Sequence, residues 1–130
     1  MKGYELIKNH FSIVKNVEWG DVICKLNNEF KENTNKFYPN SISSAYKEVD
    51  SKVPVKDMHI YLSMGDNSLT FGRHKDTMDV LIVQSIGNVS YLFDDDVMIN
   101  LCPGDSLYIK SGVYHHPIIK EPRVTLSFGV

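Results

Sequence analysis

The sequence predicts a mainly β protein, an antiparallel barrel preceded by a short helical segment. Three observations predict it. From about residue 56 onward, short apolar and β-branched runs recur between turn signals. Before that point, the clear periodicity is helical. The chain has 130 residues, 42% of them hydrophobic and 23% charged, which suits one globular domain with a real core.

The elements follow in order. Val22, Ile23, Leu26 and Phe30 have the spacing of an amphipathic helix that fades over residues 31–35, with Asp21 as its expected N-cap. Residues 39–44 read as a loop, and residues 44–49 as a short helical turn. Strands are expected at 59–63, at 78–86 up to Gly87, and at 89–93 in the same hairpin. After the charged turn 94–96 come strand 97–101, the turn 103–105, strand 106–109, the turn 110–112 and the closing strand 124–130. The expected organisation is one domain. Residues 1–55 form an N-terminal helical segment packing on a barrel of residues 56–130.

Charge and composition exclude several function classes. The net charge is −2 with no basic block, so neither nucleic acid nor an anionic membrane is indicated as a partner. No apolar run approaches the roughly 20 residues of a membrane span, and the first residues lack a signal-peptide core. Cys24 and Cys102 are far apart, with no C-x-x-C, and read as free thiols in a reducing compartment. A cytoplasmic protein is the expectation.

The candidate chemistry lies in three residues. His74 and Asp76 are one residue apart, and on a strand i and i+2 share a face. An imidazole and a carboxylate are thereby aimed at one point. His115 follows the turn at 103–105 and the next strand. Two histidines and one carboxylate form the facial triad of non-haem iron(II) oxygenases, which leaves positions open for co-substrate and dioxygen. His74, Asp76 and His115 are the candidate metal ligands and catalytic residues. His116 points to the opposite face, and His10 and His59 read as ordinary.

Residues 104–115 resemble the second motif of the cupin superfamily. Gly104, Gly112 and His115 stand at the family spacing, with Lys110 at the usual proline. Residues 74–87 resemble the first motif, with Asp76 in place of a histidine and Val80 in place of a glutamate ligand. That loss converts a four-ligand site into a triad. The variant is similar to JmjC-type and ribosomal-oxygenase cupins, whose Gln and Gly recur in register as Gln84 and Gly87. The resemblance spans about residues 58–130.

The resemblance implies a double-stranded β-helix (a jelly-roll barrel) and an Fe(II)- and 2-oxoglutarate-dependent dioxygenase, most simply a hydroxylase. In these families a lysine two residues after the motif's glycine pairs with the far carboxylate of 2-oxoglutarate. Here that position is Val89. Arg123, with Thr125 two residues on, is the substitute anchor, because its fork binds a carboxylate bidentately. Lys110 is a weaker substitute, and Tyr61 is a candidate hydrogen-bond donor to the ligand carboxylate. Gln84 reads as structural or pocket-facing, and Asp105 as the stabiliser of its own turn. Two alternatives stay open: a metal-dependent cupin that does not use 2-oxoglutarate, such as an isomerase, and a non-catalytic binding module. The primary substrate, a small molecule or a protein side chain, is not named by the sequence. Many cupins pair, so a homodimer is also open.

Overall fold

The computed structural model describes residues 3–32, 38–65 and 72–130, apart from the side chains of residues 28–32. Its elements are β1 (Tyr4–Ile7), a 3-10 turn (Ile13–Asn16), α1 (Trp19–Glu32) and α2 (Asn40–Lys52), then β2 (Asp57–Ser63), β3 (Val80–Ile86), β4 (Val89–Phe93), β5 (Met98–Leu101), β6 (Ser106–Ile109), β7 (His115–Ile118) and β8 (Arg123–Gly129). Two antiparallel sheets face each other. The larger runs β1-β6-β3-β8-β2 and the smaller β5-β4-β7.

Alternation along the central strands builds two cores. Leu81 and Val83 of β3 and Val124, Leu126 and Phe128 of β8 point out of the barrel. There they pack on Val14, Val22, Ile42, Ala45 and Val49 of the helical layer. The facing set, including Ile82, joins Val89, Tyr91, Phe93, Leu101, Leu107 and Ile109 between the sheets. The helices therefore cover the outer face of the large sheet, and the barrel interior is left to a second cluster.

Three local expectations are corrected. Residues 39–44 are not a loop followed by a short turn: α2 runs from Asn40 to Lys52. Its serines are weak helix formers, but Ile42, Ala45 and Val49 bury one stripe completely, and tertiary packing outweighs propensity. Asp21 does not cap α1, which already begins at Trp19. Its carboxylate instead accepts the Ser41 backbone N–H at 3.0 Å and the Ser41 hydroxyl, at the start of α2, where Pro39 supplies no side-chain cap. Those two donors hold the Asp21 carboxyl below its usual range. Finally, β1 and β7 went unread. Tyr4–Ile7 is a four-residue edge strand on β6, and Pro117 within β7 masks the strand signal.

The turn expected to be braced by Asp105 is braced more widely. Its carboxylate accepts N–H groups from Cys102 at 2.8 Å and Asn9 at 2.9 Å, and pairs with Lys8. No described helix is long and apolar enough to cross a membrane.

Candidate metal centre

The H-x-D segment is held by a single bridge rather than by a strand. His74 and His115 exchange backbone hydrogen bonds, His74 N–H to the His115 carbonyl at 2.9 Å and the reverse at 2.8 Å. The Gly112 N–H, in the turn before β7, donates to the Asp76 carbonyl at 2.9 Å. This places one ligand atom from each of His74, Asp76 and His115 within 4.8 Å of one another. His115 Nε2 stands 3.4 Å from Asp76 Oδ2.

Both rings are turned the way a metal needs. His74 Nδ1 lies 2.8 Å from the Gly72 carbonyl, and His115 Nδ1 lies 3.0 Å from the Val113 carbonyl. A carbonyl only accepts, so each Nδ1 carries a proton and Nε2 is the ring nitrogen that would meet a metal. Such outer hydrogen bonds orient metal-ligating histidines. Burial lowers the His115 pKa, against the pull of the Val113 carbonyl, which keeps the ring in its ligating neutral form. Two imidazole nitrogens and a carboxylate fit a divalent first-row metal.

The triad lines one end of a cavity of about 450 Å³ whose wall also includes Tyr61, Ser63, Tyr91 and Arg123. Register explains the cluster: Ser63 pairs with Arg123 and Tyr61 with Thr125 across β2 and β8. Arg123 is only 5% exposed. Its Nε donates to Ser63 Oγ at 3.1 Å and its Nη1 to Thr125 Oγ1 at 2.8 Å, and its Cζ lies 5.8 Å from the Tyr61 ring centroid. Among the described residues no carboxylate pairs with it. Burial pulls the Arg123 pKa down while the adjacent Tyr91 phenol pulls it back up. Burial pushes Tyr91 itself up to about 12, against the pull of Arg123.

No family model matches the chain, and no curated protein matches it in sequence. Solved structures do. The ribosomal oxygenase YcfD from Escherichia coli, in complex with cobalt and 2-oxoglutarate, superposes with a TM-score of 0.60 at 24% identity over 75% of this chain. The same enzyme with cobalt and succinic acid gives a TM-score of 0.56 at 26% identity over 65%. The 3,4-ketoisomerase QdtA from Thermoanaerobacterium thermosaccharolyticum gives 0.51 at 21% identity, over 61% of this chain and 62% of its own.

The fold is a cupin barrel. It resembles the JmjC-type ribosomal oxygenases among cupins, although the chain matches only 26–30% of the YcfD length in these superpositions.

The cupin barrel places the other sequence candidates as follows. Thr125 is fully buried behind Arg123 and does not reach the cavity wall. Its hydroxyl serves Arg123 and Gln84. Tyr61 is on the wall, its phenol pushed up first by burial and then by the Asp76 carboxylate. Val89 is buried in the apolar cluster between the sheets, and Lys110 is exposed off the cavity. His116 is off the wall, as alternation requires. His10 faces Ser106 Oγ at 2.7 Å, away from the site. His59, read as ordinary, lines the cavity. Ser63 and Tyr91 went unread altogether, because strand register brings the first to Arg123 and the facing of the two sheets brings the second.

Proposed function

We propose that the protein is an iron(II)- and 2-oxoglutarate-dependent oxygenase, a hydroxylase in which His74, Asp76 and His115 hold the metal. One observation carries the reading. A buried guanidinium with no carboxylate partner among the described residues lines the same cavity as a two-histidine, one-carboxylate set. An unpaired buried charge is costly, so such a site is built for an anion brought by a ligand. Arg123 is the anchor for the far carboxylate of 2-oxoglutarate, with Ser63 and Tyr61 beside it, in place of the lysine that Val89 replaces. When bound, iron(II) and 2-oxoglutarate supply oxidising power drawn from dioxygen. The chain's own work is to fix the ligands and seat the co-substrate in the cavity. The primary substrate is a small molecule or a protein side chain. Cys24 and Cys102 are exposed and not joined in a disulfide, which accords with a reducing, cytoplasmic setting.

A second reading is a metal-dependent cupin that does not use 2-oxoglutarate, an isomerase for instance. His59 favours it, since a titratable imidazole on the cavity wall could move protons on a substrate whose own anion sits on Arg123. One titration separates the two. Iron(II) is added anaerobically to the purified protein, then 2-oxoglutarate, and the visible spectrum is followed. The oxygenase reading expects a metal-to-ligand charge-transfer band that needs both additions and disappears in His74→Ala and Asp76→Ala. Iron binding without the band moves the weight to the second reading. No binding of iron(II) sinks both for this metal.

A further inference from the structure

We propose that Gln84 is a positioning residue for the anion pocket, fixing through the Thr125 hydroxyl where Arg123 presents its guanidinium. This rests on the reading of Arg123 as the 2-oxoglutarate anchor. Gln84 follows the apolar run of β3 beside Ser85; it is fully buried and lies off the cavity wall. Its Nε2 donates to the carbonyls of Ile86 and Gly87, each at 2.9 Å. These carbonyls sit at the bulge where the β3–β8 register shifts. With both amide protons committed there, the amide cannot flip, and Oε1 must face Thr125. That oxygen only accepts, so the Thr125 hydroxyl, 2.7 Å away, donates to it. Its lone pairs are then turned toward Arg123 Nη1 at 2.8 Å. Ser63 takes Nε on the other side. A long side chain with much rotamer freedom is thus locked before any ligand arrives, which lowers the ordering cost of binding.

The test is calorimetric titration of 2-oxoglutarate into the full chain loaded with manganese(II), a redox-inert stand-in for iron, with metal affinity measured separately. Gln84→Met and Thr125→Val each weaken 2-oxoglutarate binding about tenfold and leave metal affinity alone. Their combination also costs about tenfold, not about a hundredfold, because both cut one chain. Thr125→Ser, which keeps the hydroxyl, binds within about twofold of the parent. Additive losses, or a Gln84→Met protein with parental affinity, overturn the inference while leaving the proposed function standing. If Gln84→Met does not fold, the Gln84 side-chain amide resonances of the parent protein decide. They shift on saturation with 2-oxoglutarate, and unmoved resonances overturn the inference. A parent protein that binds manganese(II) but not 2-oxoglutarate overturns the proposed function, and this inference with it.

Discussion

Strand β8 has two faces that are equally hidden and chemically opposite. Every residue from Arg123 to Gly129 is buried. Val124, Leu126 and Phe128 meet the helical layer, whereas Arg123, Thr125 and Ser127 point into the barrel. The outer face removes apolar surface from water and stabilises the fold. The inner face holds a guanidinium whose Nε and Nη1 donate to hydroxyls but whose charge meets no carboxylate among the described residues. Burial by itself therefore does not mark a core here. Alternation along one strand assigns stability to one side and, on the proposed function, ligand recognition to the other.

Substitutions on the two faces should then differ in sign. The largest effect belongs to the apolar face. Leu126→Ala leaves a cavity in a fully buried cluster and should cost about 3 kcal/mol in denaturant unfolding. Manganese(II) affinity of the folded variant should be unchanged. A loss of metal affinity in step with stability would show that the faces are not independent. Next comes Arg123→Met. Replacing an unpaired buried charge by an apolar side chain should raise stability by about 1 kcal/mol. The same change should weaken 2-oxoglutarate binding by about a hundredfold. A destabilised Arg123→Met protein would mean that the guanidinium is a structural element, and the contrast between the faces would fail.

How far this was legible in the sequence follows from what sets each feature. His74, Asp76 and His115 could be picked out because their spacing and the glycine turns around them are local patterns, as was the polar Arg123 in a late strand. The bridge that seats His74 on His115 was expected to be a strand, since sequence alone does not show how little pairing suffices. Ser63 reaches Arg123 through register across strands far apart in the chain, and Tyr91 reaches it from the facing sheet, and nothing in their own neighbourhoods announces it. α2 was hidden by its serines, whose weak propensity is overridden by a buried stripe. Asp21 had the chemistry of a cap, but it caps the other helix, a choice made by packing through space.

The smallest expected effect tests the layer that covers the apolar face. Glu48 of α2 accepts backbone N–H groups from Ser12 and Ile13 at 2.8 Å each and from Val14 at 3.0 Å, so it caps the 3-10 turn. That turn delivers Val14 to the outer face, where the Ser85 hydroxyl also donates to its carbonyl at 2.6 Å. Burial pushes the Glu48 carboxyl up, but the three N–H donors outweigh it and leave the pKa below the ordinary 4.5. A group with a depressed folded pKa stabilises fully above its unfolded value and loses that contribution as pH falls through the folded one. Glu48→Gln should therefore cost about 1 kcal/mol in urea unfolding near neutral pH. The gap from the parent should narrow below pH 4.5 as the parent's carboxylate is protonated. Asp21, Asp79, Asp94 and Asp105 are depressed in the same direction, so the parent's own acid sensitivity mixes them with Glu48. The difference between parent and variant isolates Glu48. A gap that stays constant down to pH 3 would show that the cap works through the side chain's shape rather than its charge.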